Sequence, residues 1–127
     1  MSPDVDIFDE QSPWFNTWRS PAALVVGDAL SVTQSLPDSS IDMVMTSPPY
    51  WKQRQYDGGG IGQEKTPDQY LRSLLRIFAE LHRVLRPTGS FWLNVGDTYA
   101  KKSLQGIPWR LAITMMDEQG WILRNDV

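Results

Sequence analysis

Residues 66–85 are patterned as a helix and stand between two short apolar runs, residues 41–46 (IDMVMT) and 90–95 (SFWLNV). Two strands joined through a helix cannot close as a hairpin; they pair in parallel with a crossover. The helix signal is well defined. Thr66 is the N-cap, Pro67 takes the first helical position, and Gln69 lies three after the cap. That is a capping box, which satisfies two otherwise orphan backbone donors. Leu71, Leu74, Leu75, Phe78, Leu81 and Leu85 follow the helical period and form one apolar face. Arg72, Arg76 and Arg83 fall outside it, as on a solvated basic face. Pro87 and Gly89 end the helix.

The same alternation extends in both directions. Residues 23–27 (ALVVG) read as a buried strand with Asp28 at its C-terminal end, followed by a short helix over residues 29–36 that Pro37, Asp38 and Ser39 close. Ser47-Pro48-Pro49 stops the 41–46 strand, because proline cannot donate to a sheet ladder. Gly96-Asp97-Thr98 follows the third strand. Pro108 opens a second long helix bearing Leu111, Ala112, Met115 and Met116, with Gly120 placed to cap it. Residues 121–123 begin an expected fourth strand. This order predicts an α/β fold, a parallel sheet with crossover helices. Ligands bind such sheets beyond the C-terminal strand ends, where Asp28, residues 47–50 and residues 96–98 would all lie.

Two stretches stand outside the pattern. Residues 1–22 are expected as an N-terminal arm, either frayed or anchored in a groove by Trp14, Phe15 and Trp18. Residues 23–127 are expected as the α/β unit. Residues 51–65 lack a period and carry Gly58, Gly59, Gly60 and Gly62. Long aperiodic loops are functional, as mobile lids, or disordered, and the two readings stay open. The glycine cluster follows no strand and opens no helix, so it does not read as a nucleotide loop.

Composition narrows the function classes. A chain of 127 residues holds one domain at most. Lys and Arg number 12 against 15 Asp and Glu, a net charge of -3. Affinity for phosphate comes from Lys and Arg, so this balance argues against tight binding of DNA or RNA by this chain alone. With no Cys and one His, disulfides, a thiolate nucleophile and most His-based metal sites are excluded, and no metal is expected. No apolar run approaches the roughly 20 residues of a membrane span, so no membrane partner is expected. The start, MSPDVDIFDE, lacks a basic n-region and an apolar h-region, which makes a cytoplasmic location the expectation.

Ser47-Pro48-Pro49-Tyr50-Trp51 has two physical readings. One is a rigid strand-ending turn with a buried tyrosine. The other is chemical: stiff backbone carbonyls and the Ser47 hydroxyl form a set of acceptors suited to an exocyclic amine. Tyr50 and Trp51 would then offer flat faces for a base taken out of its helix. Acceptors around the amine would raise electron density on its nitrogen and favour attack on an electrophilic carbon.

Residues 25–51 (VVGDALSVTQSLPDSSIDMVMTSPPYW) resemble the opening of the DNA amino-methyltransferases of the N4-cytosine/N6-adenine family. The resemblance continues through the Thr66 helix, LHRVLRPTGSFWLNVGDTY and GWILRNDV, and covers roughly residues 24–127. Members transfer a methyl group from S-adenosyl-L-methionine to the exocyclic amine of cytosine or adenine. The family tetrapeptide, Ser/Asp/Asn-Pro-Pro-aromatic, matches at Ser47, Pro48, Pro49 and Tyr50. By resemblance, Ser47 and the Pro48 carbonyl bind the target amine and Tyr50 stacks on the flipped base. A Ser at the first position is more usual in the cytosine-N4 branch. The resemblance also implies a cofactor site that includes Asp28, Ala29 and Ser47, with Asp28 near the adenine; Asp28 reads equally as a plain helix N-cap. DNA is the implied partner, with Trp51, Lys52 and Arg54 expected against it and Lys101 and Lys102 near the same edge.

Two family parts are missing: the Phe-x-Gly-x-Gly-type cofactor loop and a target-recognition segment. In the branch with the catalytic motif first, both follow later, so the chain is expected to be an amino-terminal portion: a truncated gene, a cloned fragment or a split-enzyme subunit. The fold implied is a partial Rossmann-like methyltransferase sheet lacking the cofactor-loop strand. In the family that strand lies between the Asp28 strand and the Ser47 strand. A gap there would leave unpaired strand edges, to be filled by a complementing polypeptide or by self-association.

Overall fold

The computed structural model describes residues 5–53 and 60–127. The helix-bracketed pair forms as the sequence pattern requires. Strand β3 (Ile41–Thr46) and strand β4 (Leu85–Leu93) pair in parallel, with helix α3 (Pro67–Val84) between them in the chain. The ladder runs from Met43 opposite Ser90 to Thr46 opposite Leu93, and one further bond from the Asn94 N–H to the Thr46 carbonyl extends it.

Helix α3 ends earlier than Pro87 and Gly89 suggested. Leu85 is already extended (φ -70°, ψ 137°) and pairs with Ile41. Proline at 87 disfavours a helical Arg86, which moves the boundary back. The register then shifts between Ile41 and Met43, so residues 86–89 bulge from the ladder. Gly89 permits that bulge. A side chain there would meet the Arg86 carbonyl at 2.9 Å and the Asp42 carbonyl at 3.0 Å.

At its start α3 is capped as expected on the donor side, with Thr66 Oγ1 accepting from the Gln69 N–H at 3.2 Å. The Gln69 side chain takes the N–H of Lys65 rather than that of Thr66. The buried face comprises Tyr70, Leu71, Leu74, Leu75, Phe78, Leu81 and Val84. It meets helix α4 (Ile107–Gln119) through Ile107, Leu111 and Met115, and the inner side of the β3–β4 pair through Val44, Phe91 and Leu93. Phe78 and Phe91 pack edge to face at 5.0 Å.

Two of the three arginines off the apolar face, Arg72 and Arg83, are ties rather than parts of a free basic face. Arg72 pairs with Glu118 of α4 at 2.6 Å. Arg83 donates to Asp38 and to the Leu36 and Thr33 carbonyls, linking α3 to helix α2 (Ala29–Gln34) and the segment after it.

The N-terminal segment is more ordered than a frayed arm. Strand β1 (Val5–Asp9) pairs in parallel with strand β2 (Ala22–Val26). Between them the short helix α1 (Trp14–Thr17) buries Trp14, whose indole N–H donates to Ser35 Oγ at 3.2 Å. The anchored reading is the one that holds for Trp14.

Among the described residues the sheet is divided. β1 pairs with β2, β3 pairs with β4, and a small antiparallel hairpin joins strands β5 (Tyr99–Ala100) and β6 (Ser103–Leu104). No ladder connects β2 to β3, so the expected gap is present. One face of the strands is also uncovered: Met43, Met45 and Trp92 are more than half exposed, as are Leu24 and Val26. Parallel strands are ordinarily buried on both faces. The fourth strand expected at residues 121–123 does not form. α4 stops at Gly120 (φ 74°), the Trp121 N–H bonds back to the Met115 carbonyl, and the Trp121 ring packs on Phe91 and His82. Ile122 and Leu123 stay exposed.

Candidate functional site

Strand β3 delivers residues 47–50 to the C-terminal edge of the sheet. Ser47 is exposed there, and its hydroxyl carries no hydrogen bond among the described residues. Pro48, Pro49 and Tyr50 are half-buried. The serine is open and the tyrosine is not sealed in the core.

The segment behind Ser47 is firmly held. The Tyr70 hydroxyl donates to the Pro49 carbonyl at 2.7 Å. Tyr70 is fully buried. Burial, together with Glu64 and Tyr50, pushes its hydroxyl far up from the usual tyrosine range, so it remains a donor. The Thr98 hydroxyl donates to the Trp51 carbonyl at 2.7 Å. The Lys52 N–H donates to the Gly62 carbonyl, and the Gly62 N–H to Glu64 Oε2, both at 2.8 Å. Gly62 is left-handed (φ 106°), and a side chain there would crowd the Tyr50 carbonyl at 3.1 Å. The Tyr50 ring rests against Gly96, where a Cβ would lie 2.7 Å from the ring.

Residues 96–98 thus reach the expected edge but act as scaffold. Gly96 gives the ring its seat and Thr98 ties the loop. Asp97 turns the other way, to the start of α4. Its carboxylate accepts from the Thr98 N–H at 2.8 Å, the Gly106 N–H at 2.9 Å and the Ile107 N–H at 3.2 Å. Burial raises its pKa, and the combined backbone N–H groups outweigh that and hold the carboxyl below its usual range. A lowered folded pKa gives stability that is complete above the unfolded value of about 3.9 and is lost as pH falls through the folded value. Asp97→Asn is therefore expected to reduce stability at neutral pH and to flatten its decline below about pH 4. Urea midpoints taken across that range check it.

Trp51 does not offer a face to nucleic acid. It is 4% exposed, belongs to the core, and donates its indole N–H to the Glu64 carbonyl at 2.8 Å. An aromatic beside a motif tyrosine looked available in the sequence, but the turn at Tyr50 sends it inward. Lys52 stays at the surface, with its ammonium 4.8 Å over the Trp51 ring. Arg54, Gly58 and Gly59 lie outside the described residues.

Asp28 ends up as the N-cap of α2. Its Oδ2 accepts from the Ser31 N–H at 3.0 Å and from the Ser31 hydroxyl. Its own N–H donates to Glu10 Oε2 at 2.8 Å, with the Glu10 side chain lying against Gly27. Asp28 and Ala29 are exposed at the end of β2. Among the described residues no group of three or more His, Asp or Glu could hold a metal ion, and no helix is long and apolar enough to cross a membrane.

Sequence reasoning missed Tyr70, although Tyr70, Leu74, Phe78 and Leu81 share one helical stripe. The polar tip of tyrosine sets it apart from the leucines and phenylalanine of that face. Gly96 carried a faint signal, a glycine just past a strand. Glu64 carried none.

The profile of the N6/N4 DNA methylases matches residues 41–127, from β3 through α4. The type II methyltransferase M.SmaI of Serratia marcescens is 32% identical over an alignment covering 99% of this chain and 53% of that protein. M.XycI of Xanthomonas campestris pv. cyanopsidis is 40% identical, covering 84% of this chain and 45% of its own length. Among solved structures, the cytosine-N4-specific PvuII DNA methyltransferase superposes with a TM-score of 0.62 at 31% identity, covering 76% of this chain and 33% of that one. The chain belongs to the N6/N4 DNA methylase family. Its fold is a partial Rossmann-like methyltransferase sheet. It spans about half or less of the length of these relatives.

Proposed function

We propose that this chain is the motif-bearing part of a type II DNA methyltransferase that methylates the exocyclic amine of a flipped base, cytosine N4 in preference to adenine N6. The observation that carries the reading is the exposed Ser47 hydroxyl at the end of β3, without a partner among the described residues, beside a proline pair held from behind. The names of M.SmaI and M.XycI support the class, and the cytosine-N4-specific PvuII enzyme supports the base.

The chemistry asked of the chain is positioning. The two amine N–H groups donate to Ser47 Oγ and the Pro48 carbonyl, which leaves the nitrogen lone pair directed outward. The Tyr50 ring, seated on Gly96, stacks on the base. S-adenosyl-L-methionine supplies the methyl group when bound. The chain's residues fit one end of that cofactor. Asp28, exposed at the end of β2, keeps one carboxylate oxygen outside the Ser31 cap and can accept from the ribose or adenine.

The open edges of β2 and β3 and the exposed Met43, Met45 and Trp92 point to a complementing polypeptide, with self-association as the substitute when it is absent. Sedimentation as a monomer at high micromolar concentration counts against this. DNA contact falls to Lys52 and Arg54 and to the β5–β6 hairpin, whose two turn residues, Lys101 and Lys102, are both left-handed (φ 50° and 63°). Such turns favour Asn-Gly. Replacing the pair with Asn-Gly is expected to raise stability by about 1 kcal/mol while cutting the salt dependence of DNA binding by about two phosphate contacts. Thermal unfolding and a salt titration of the completed protein measure both.

The decisive experiment co-expresses the chain with the carboxy-terminal part of a relative such as M.SmaI and measures N4-methylcytosine in plasmid DNA. Methylation that disappears with Ser47→Ala and with Tyr50→Ala supports the reading. A stable dimer or complex with no methylation of DNA identifies a binding module instead. Labelled methyl transfer to RNA alone would move the substrate class.

A further inference from the structure

Tyr50 is bracketed by two buried hydroxyls. Tyr70, from α3, holds the carbonyl of the residue before it, and Thr98, from the segment after β4, holds the carbonyl of the residue after it. Tyr70 is 0% exposed and Thr98 6%. We infer that Tyr70 and Thr98 are positioning residues that set the angle between the Pro48 carbonyl and the Tyr50 ring, and so the geometry in which an amine and its base are gripped together. This deepens the proposed function and rests on that reading.

The peptide between Pro48 and Pro49 is trans, and the Pro49 ring fixes its own φ near about -65°. The soft torsions left between the Pro48 carbonyl and the Tyr50 ring system are Pro49 ψ and those of Tyr50 itself. Pro49 ψ determines where the Pro49 carbonyl points, and the Tyr70 hydroxyl fixes that direction. The same bond occupies the Pro49 carbonyl, which leaves the Pro48 carbonyl and the Ser47 hydroxyl as the acceptors for substrate. Thr98 fixes the far side of Tyr50, and Gln53 Nε2 reaches the same threonine hydroxyl at 3.3 Å. Neither hydroxyl touches the expected base position. Both act through backbone they hold.

Tyr70→Phe and Thr98→Val delete one hydroxyl each with little change of shape. In the completed protein each is expected to lower kcat on plasmid DNA about tenfold, the scale of one hydrogen bond, with KM for DNA unchanged. The double variant should fall by less than the product of the two, because both restrain one residue. A kcat that falls only in proportion to the fraction of unfolded molecules overturns the inference. So does a rise in KM with kcat preserved. A second readout is independent of catalysis: a fluorine label on the Tyr50 ring of the chain itself. A single ring resonance that broadens or shifts in each variant supports the inference, and an unchanged resonance in folded variants overturns it. If the completed wild-type protein methylates nothing, the functional reading fails while the fluorine result still decides whether the two hydroxyls hold Tyr50.

Discussion

Gly96→Ala is expected to lower methyl transfer by the completed protein by about 100-fold while leaving the chain folded. The new methyl would sit 2.7 Å from Cε2 and 2.9 Å from Cδ2 of Tyr50, inside any permitted contact. The backbone does not resist, since Gly96 is not left-handed. The ring resists, and it can yield, because Tyr50 is only half-buried. It would swing off its seat, and a ring out of place by about 1 Å is enough to cost two orders of magnitude. Combining Gly96→Ala with Tyr50→Ala tests the cause. The pair should be no worse than Tyr50→Ala alone, because the clash has lost its object. Single-turnover kinetics and a denaturation curve for each variant measure activity and folding separately. An alanine variant that unfolds, or one that adds its full loss to that of Tyr50→Ala, would show that Gly96 serves something other than the ring.

Phe78→Ala should abolish cooperative unfolding or lower its midpoint severely. Phe78 is 1% exposed at the centre of the α3 face and meets Phe91 of β4 edge to face. Removing such a ring costs about 3–5 kcal/mol, a large share of the 5–15 kcal/mol that holds a typical domain. Met45→Ala is the control. Met45 is 70% exposed on the uncovered face, so its loss should change stability by less than about 0.5 kcal/mol in the chain alone. In the completed protein the same change should become costly if that face is where the complement packs. Urea titrations followed by the fluorescence of buried Trp51 make the comparison.

The fold was legible where local pattern and tertiary need agreed. Thr66 and Pro67 announced the start of α3, and the leucine stripe announced its buried side. Ser47 and the two prolines marked the end of β3. The sequence pattern failed where distant contacts decided. Residues 121–123 are apolar enough for a strand, but Trp121 found Phe91 and His82 instead. Trp51 adjoins the motif in sequence and lies in the core in space, a distinction that depends on Glu64. The first residues hid β1 because a five-residue strand of mixed polarity looks like coil until its partner β2 is known. The Ser47 site could be read from four residues. The hydroxyls behind it could not, since Tyr70 and Thr98 are separated from Tyr50 by a helix and a strand.

Strands that share a ladder open together; strands that share none open apart. β1–β2 and β3–β4 share no ladder among the described residues, and Arg83 of α3 links them through the Thr33 carbonyl of α2. Asp28 rides on one pair and Ser47 on the other. A strand inserted between β2 and β3 would join the two pairs through backbone bonds. On the proposed reading, that strand would also fix the spacing of Asp28 and Ser47, so that assembly would precede chemistry.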